Sequence, residues 1–334
     1  MKQVQIFGPG DLRLEDVPEP EPGPRDVVLR VAACGICGSD VRYARLGGLA
    51  GPSDRPMPIG HELTGVVAAV GADVSNLTPG TRVVLNPMGQ DNRIGNGGRE
   101  GGFAPYLLVR NAADGGALFP IPDELPDHLA ALAEPLGVGM NAVDHAEAKP
   151  GDRVAVFGAG PIGLAAVAYL RDRGVDDVVA IDLSARRLEI ATALGATTVI
   201  DASGDDPWPR LRTLHGEEPV LGTPMAGTDA YIEASGASPV ISQVLQHAKR
   251  GARLSVVALH YEPIPVSFLV VMMKELTIRG AMEYPDDFSS AVALLGRRDL
   301  SPMVTHRFAL ADFHEALATA CDPQAGGKVV VDCG

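Results

Sequence analysis

An α/β protein of two domains is what the sequence predicts, on three observations. The chain has 334 residues, more than one hydrophobic core usually organises. Its first ~140 residues carry short apolar strands broken by Gly, Pro, Asn and Asp. Beyond Pro150, apolar strands alternate with helical stretches, the pattern of a parallel sheet covered on both faces.

In the first region, Asp26 to Ala33, Thr64 to Val70 and Thr81 to Leu85 each read as a strand between turn residues. Prolines crowd Val17 to Pro24, which suits an extended edge and forbids a helix. Pro87 to Gly102 is Gly-rich and polar, hence a loop. In the second region, Val154 to Phe157 is a strand, Pro161 to Arg173 a helix and Val178 to Asp182 a strand. Ala185 to Leu194 follows as a helix and Thr198 to Asp201 as a strand. Ala230 to Ala234, Leu254 to Leu259 and Leu276 to Arg279 add strands, with a helix over Pro239 to Lys249. The chain closes with a helix (Asp286 to Arg297), a strand (Val304 to Ala309), a helix (Leu310 to Ala320) and a strand (Lys328 to Asp332).

Apolar residues make up 46% and charged residues 21%, a globular profile that excludes wholesale disorder. Against 42 acidic residues stand 28 Lys and Arg, a net charge of −14. A surface that acidic argues against nucleic acid or an anionic membrane as partner. No apolar run reaches the roughly 18 residues of a membrane span. The start, Met1 to Phe7, shows no signal-peptide core, so a cytoplasmic protein is expected. Four cysteines cannot frame a disulfide scaffold at this size.

Val154 to Gly163 (VAVFGAGPIG) places G-x-G-x-x-G directly after an apolar strand and at a helix start. Gly158 allows the tight turn, Gly160 admits a pyrophosphate against the main chain, and Gly163 lets helix and sheet pack closely. Pro161 and Ile162 open the helix, whose free N–H groups and positive end favour an anion. Asp182 ends the next strand, 19 residues beyond Gly163. Its carboxylate suits ribose hydroxyls and repels a 2′-phosphate, so NAD is favoured over NADP. Arg186 and Arg187 partly offset that repulsion, and Arg187 is counted among the cofactor residues.

Cys34-Gly35-Ile36-Cys37-Gly38-Ser39-Asp40 is the second signal. As a zinc knuckle it lacks a second pair, for Cys321 and Cys333 are distant and differently spaced. As a redox pair it would need a small βαβ domain. A third reading makes Cys37 one ligand of a catalytic metal. His61 and Glu62 lie 24 and 25 residues further on, and Glu134 adds a carboxylate. Thiolate, imidazole and carboxylate suit Zn²⁺ with a position left for water or substrate. Asp40 is placed to orient His61.

Cys34 to Asp40, Gly60-His61-Glu62, Glu134-Pro135-Leu136 and Gly158 to Gly163 resemble, in order and spacing, the zinc-dependent medium-chain dehydrogenase/reductase superfamily. Lys274 to Tyr284 and Val304 to Leu310 resemble its polyol branch of sorbitol, L-idonate, threonine and butanediol dehydrogenases. The resemblance spans nearly the whole chain. It implies a GroES-like, β-rich catalytic domain (residues 1–141 and 284–334) with a Rossmann NAD-binding domain (142–283) inserted into it. The active site is then expected in the cleft between them. It implies metal ligation by Cys37, His61, Glu62 and Glu134, and Cys34 as a buried thiol. Ser39 then hands on the substrate proton, with Asp40 and Glu62 also catalytic. Val257, Ala258 and Leu259 would lie beside the nicotinamide, Ala281 and Met282 near its carboxamide, and Tyr43 and Arg307 in the substrate pocket.

Two departures from the family pattern stand out. The lobe that usually carries four cysteines for a structural zinc is replaced by the loop Asn86 to Gly102, which has none. One catalytic zinc and no structural zinc are therefore expected, the lost stability being met otherwise, subunit contacts among the means. Where the family often relays protons through His, this chain has Arg42, a poor base. The expected function is reversible, NAD-linked oxidation of a secondary alcohol, diol or polyol by a homodimer or homotetramer. Its alternatives are a metal-free quinone or enoyl reductase and a non-catalytic NAD-binding protein.

Overall fold

The computed structural model describes residues 1–204 and 206–334. The chain divides into two compact units. One comprises Met1–Glu134, Phe288–Arg297 and Val304–Gly334, the other Pro135–Asp287 and Arg298–Met303. Ala133–His145 runs across the first division as one continuous helix. Arg298–Met303 stays with the second unit, where the Arg298 guanidinium donates to the Leu194 carbonyl at 2.9 Å.

The first unit is built on a seven-stranded sheet. Its order is Val304–Ala309, Lys328–Asp332, Val27–Gly35, Glu62–Val70, Arg82–Leu85 and Leu118–Pro120, with Tyr106–Val109 also paired to Val27–Gly35. Val27, Leu29 and Val31 alternate into the core, as period two requires. Val27–Gly35 is antiparallel to both Glu62–Val70 and Lys328–Asp332, so Gly35 stands opposite Glu62 on one side and Val330 on the other. A hairpin of Lys2–Gly8 and Asp11–Asp16, extended by Met57–Pro58, forms a second sheet. Polar side chains secure the loop Asn86 to Gly102: the Asn92 amide bonds the backbone of Gly89 and Arg110, and Arg110 pairs with Glu100 at 2.8 Å.

The second unit has six parallel strands in the order Thr198–Asp201, Asp177–Asp182, Arg153–Phe157, Ala230–Glu233, Arg253–Val256 and Thr277–Gly280. Counted along the chain, this is 3-2-1-4-5-6, the doubly wound order whose direction reverses between Arg153–Phe157 and Ala230–Glu233. Phe157, Trp208 and Tyr231 form its aromatic centre. Among the described residues, no helix is long and apolar enough to cross a membrane.

Several elements differ from expectation. Gly38–Leu46 is a helix that its few apolar residues do not announce. Ala133–His145, Pro207–His215 and Phe268–Lys274 are further helices, and Glu217–Val220 pairs with Thr223–Ala226 as a hairpin. The strand expected to reach Leu259 ends at Val256, since the amides of Val257 and Ala258 both turn to the Glu233 carbonyl. The helix expected from Asp286 begins at Ser289, and that expected from Leu310 opens with a 3₁₀ turn before Phe313–Cys321.

Gly158 holds φ at +93°, and a Cβ there would lie 2.7 Å from Ser235. A Cβ on Gly163 would lie 1.8 Å from the Gly158 carbonyl oxygen. Alanine at 163 gains about 1 kcal/mol of helix propensity, yet the clash forces helix and strand apart. Gly163→Ala is therefore expected to destabilise the chain by about 1–3 kcal/mol net, read as a lower urea midpoint; an unchanged midpoint would show that the turn yields freely.

Candidate active site

Cys37 stands at the N-cap of Gly38–Leu46, just after the strand Val27–Gly35. Its amide donates to Asp40 Oδ2 at 2.9 Å, closing a capping box. Asp40 is wholly buried, and its Oδ1 accepts from the Gly60 amide at 3.3 Å and lies 3.6 Å from His61 Nδ1. One carboxylate thus ties together the loops that carry Cys37 and His61. Burial raises the Asp40 pKa, and His61 works against that rise.

The ligand atoms of Cys37, His61 and Glu62 all lie within 4.8 Å of one another. Burial opposes protonation of His61, but Asp40 and Cys37 beside it win and raise its pKa well above the ordinary value. His61 Nδ1 is buried with no hydrogen-bond partner, which is costly in a protein interior. One thiol, one imidazole and one carboxylate, crowded and partly unsatisfied, fit a divalent soft-to-borderline cation such as Zn²⁺. Ser39 Oγ lies 3.4 Å from His61 Nε2.

Glu134 is buried in the first turn of Ala133–His145 and lies outside that trio. Its charge is nonetheless felt by His61 and by Lys328, whose protonated forms it favours. Cys34 is fully buried, and burial pushes its thiol well up. It sits in an antiparallel strand, which removes the redox-pair reading. Burial likewise pushes Cys333 up to about 12. Tyr43 donates from its hydroxyl to Asn96 Oδ1 at 3.3 Å, and the Arg307 guanidinium is committed to both oxygens of Asp332 at 3.0 Å.

Sequence reasoning missed Lys328. Its ammonium is buried, lies 2.6 Å from the Glu62 carboxylate and donates to the Ile36 carbonyl at 3.1 Å. Burial lowers its pKa, but Glu62 and Cys37 more than compensate and raise it. A Cβ on Gly35 would fall 2.3 Å from Glu62 Oε2, so this ion pair requires glycine opposite Glu62. The available signal was a lysine opening the strand Lys328–Asp332 directly before three valines.

In the second unit the glycine loop fits a dinucleotide phosphate. A Cβ on Gly160 would meet nothing within 4 Å, so the main chain is open there. No side chain caps the helix Pro161–Asp172, which leaves first-turn donors for an anion. Asp182 braces this loop: Oδ2 accepts from the Ala159 amide at 2.6 Å and Oδ1 from the Ser184 amide at 2.9 Å. The Arg187 amide closes the Ser184 cap of Ala185–Leu194. Val257, Ala258 and Leu259 leave the end of Arg253–Val256, and the Ala281 amide donates to the Val256 carbonyl at 2.9 Å. The Asn141 amide holds the Met282 carbonyl at 2.9 Å.

Residues 23–123 match the alcohol dehydrogenase GroES-like domain, and residues 161–297 match the zinc-binding dehydrogenase domain. Human sorbitol dehydrogenase is 34% identical over 344 residues, covering 98% of this chain and 94% of that protein. The chain belongs to the zinc-binding dehydrogenase family. Within that family its relatives are polyol and diol dehydrogenases. The (R,R)-butanediol dehydrogenase of Neisseria gonorrhoeae is 33% identical, with 93% of this chain and 92% of that protein covered. The crystal structure of 2R,3R-butanediol dehydrogenase from Bacillus subtilis superposes with a TM-score of 0.86 at 30% identity, covering 100% of this chain and 99% of that one.

For this dehydrogenase, Lys328→Met strands the buried Glu62 carboxylate and is expected to cost about 3–5 kcal/mol in the chelator-treated protein. Adding Glu62→Gln should recover much of the loss. Urea unfolding of the single and double variants checks this, and a silent single variant would show that the pair contributes nothing.

Proposed function

We propose that this chain is a zinc- and NAD-dependent dehydrogenase that interconverts a secondary alcohol, diol or polyol with its ketone. The observation that carries the reading is the convergence of Cys37, His61 and Glu62 within 4.8 Å, braced by Asp40 and Lys328. Zinc bound there supplies Lewis acidity that brings a hydroxyl pKa toward neutrality, and NAD accepts the hydride. The chain's own residues do the rest. Cys37 and His61 hold the ion, with Glu134 as a further carboxylate ligand. Asp40 fixes the His61 ring. Lys328 holds the Glu62 carboxylate at 2.6 Å, so Glu62 would serve as an exchangeable ligand. The Ser39 hydroxyl, beside His61, takes up the substrate proton while its own proton leaves through water and the cofactor ribose. Arg42 stays protonated and does not act as a base in that passage. Tyr43 borders the substrate together with Arg307, which Asp332 holds.

Gly158, Gly160, Pro161, Ile162 and Gly163 hold the pyrophosphate, and Asp182 turns from the Ala159 amide toward the adenosine ribose, which selects NAD. Arg187 lies on the same side, while Val257 to Leu259, Ala281 and Met282 line the nicotinamide end. One zinc per chain is proposed, the Asn92 and Glu100 bonds to Arg110 securing the loop that would otherwise carry a second.

Cys37→Ser and His61→Ala are each expected to lower turnover of a diol and polyol panel by about 10³-fold or more, the loss of several kcal/mol of charge stabilisation. NADH binding should survive in both. Nicotinamide absorbance, fluorescence titration and metal analysis check this, and wild-type turnover in either variant would sink the metal reading.

The outer strand Thr277–Gly280 ends its sheet, and Ile278, Phe268, Leu269 and Met272 are exposed nearby in the chain. An open edge with apolar side chains is a template for pairing with a second copy. A homodimer is proposed on this ground. Light scattering should give at least twice the chain mass, and Ile278→Lys should shift it toward the monomer; a monomeric wild type would refute it.

A further inference from the structure

Glu233 is a fully buried carboxylate at the end of Ala230–Glu233, the strand beside the point where the parallel sheet reverses its order. Its Cα partners are Phe157, directly before the glycine loop, and Val256, directly before Val257 to Leu259. Ligands of such sheets bind outside the carboxyl ends of the strands at that reversal. A buried charge at this place demands explanation, for its desolvation is costly unless every oxygen is bonded.

The bonds it makes tie three segments together. Oε1 accepts from the Ser235 amide at 2.9 Å, the Ser235 hydroxyl at 2.6 Å and the Gly236 amide at 2.9 Å. Ser235 in turn backs the glycine loop, since a Cβ on Gly158 would touch its backbone. Oε2 lies 2.7 Å from His260 Nε2. The Glu233 carbonyl accepts the amides of Val257 and Ala258 at 3.0 and 3.2 Å. His260 is nine-tenths buried, and its Nδ1 has no partner. One side of the ring is therefore spent entirely on Glu233, while the chain between them, Val257 to Leu259, has already left the sheet. Leu259 is 56% exposed, so packing alone does not pin this segment.

We propose that Glu233 and His260 form a positioning pair that fixes Val257 to Leu259 as the wall for the nicotinamide half of the dinucleotide. This rests on the dinucleotide reading above and deepens it. The pair touches no reacting atom. It clamps a short, partly exposed segment from both ends, through the Glu233 carbonyl at the start and the Glu233 carboxylate at His260. The adenosine and pyrophosphate half depends instead on Gly158 to Gly163 and Asp182, which lie on the far side of the reversal.

The test compares NADH with ADP-ribose, which lacks the nicotinamide, by calorimetry on the full-length protein. His260→Leu keeps most of the bulk and removes the donor. It is expected to weaken NADH about tenfold and leave ADP-ribose within about twofold, the loss of one hydrogen bond to a charged group. His260→Gln can still donate to Glu233 and should restore NADH binding to within about threefold of wild type. NADH binding unchanged in His260→Leu overturns the proposal. Equal weakening of both ligands overturns it as well, since the pair would then serve the fold in general. A wild type that binds neither ligand overturns the dinucleotide reading itself, and this pair with it.

Discussion

The antiparallel pairing of Val27–Gly35 with Glu62–Val70 is the constraint on which the trio proposed to hold the metal depends. Their register sets Gly35 opposite Glu62, and it is the absence of a side chain at Gly35 that leaves room for the Glu62 carboxylate and the Lys328 ammonium. Because successive strand residues point to opposite faces, a slip of one position would turn Glu62 away and move His61 with it. Cys37 and His61 lie just outside the two strand ends, where the loops are free to bend toward each other. Asp40 then joins those loops through the amides of Cys37 and Gly60. A reactive group is thus built on rigid sheet and finished by short connections.

A similar logic governs the second unit. Six parallel strands direct all their carboxyl ends to one edge, so the loops that leave them converge there. Close packing makes the glycines of the phosphate loop necessary for two different reasons. Gly163 and Gly158 are demanded by atoms already present in the chain, whereas Gly160 faces open space and serves the proposed dinucleotide. Glu233 belongs to the same edge but works inward, holding loops with its oxygens rather than offering them to solvent.

Local patterns made much of this legible. The G-x-G-x-x-G run, the strand before it and the helix after it are contiguous, so one stretch of sequence specifies them. Ala185–Leu194, Thr198–Asp201, Val304–Ala309 and Lys328–Asp332 were readable to the residue, because apolar periodicity and flanking turn residues agree there. Gly38–Leu46 was not, since its mean composition is polar and its start is set by a capping box with an unusual cysteine. The hairpin Glu217–Val220 with Thr223–Ala226 was equally silent, being mostly exposed and low in strand formers.

By itself, then, the sequence determined which residue types could bind a metal and a dinucleotide, and in which order the elements carrying them occur. Those are properties of short segments, and spacing along the chain expresses them. Tertiary structure alone decided the partnerships between residues remote in sequence. Lys328 meets Glu62 across 266 positions, Asn141 meets Met282 across 141, and His260 meets Glu233 across 27. No local pattern encodes such pairs, because a buried charge becomes tolerable only where folding delivers its counterpart, and strand order and register decide where that is.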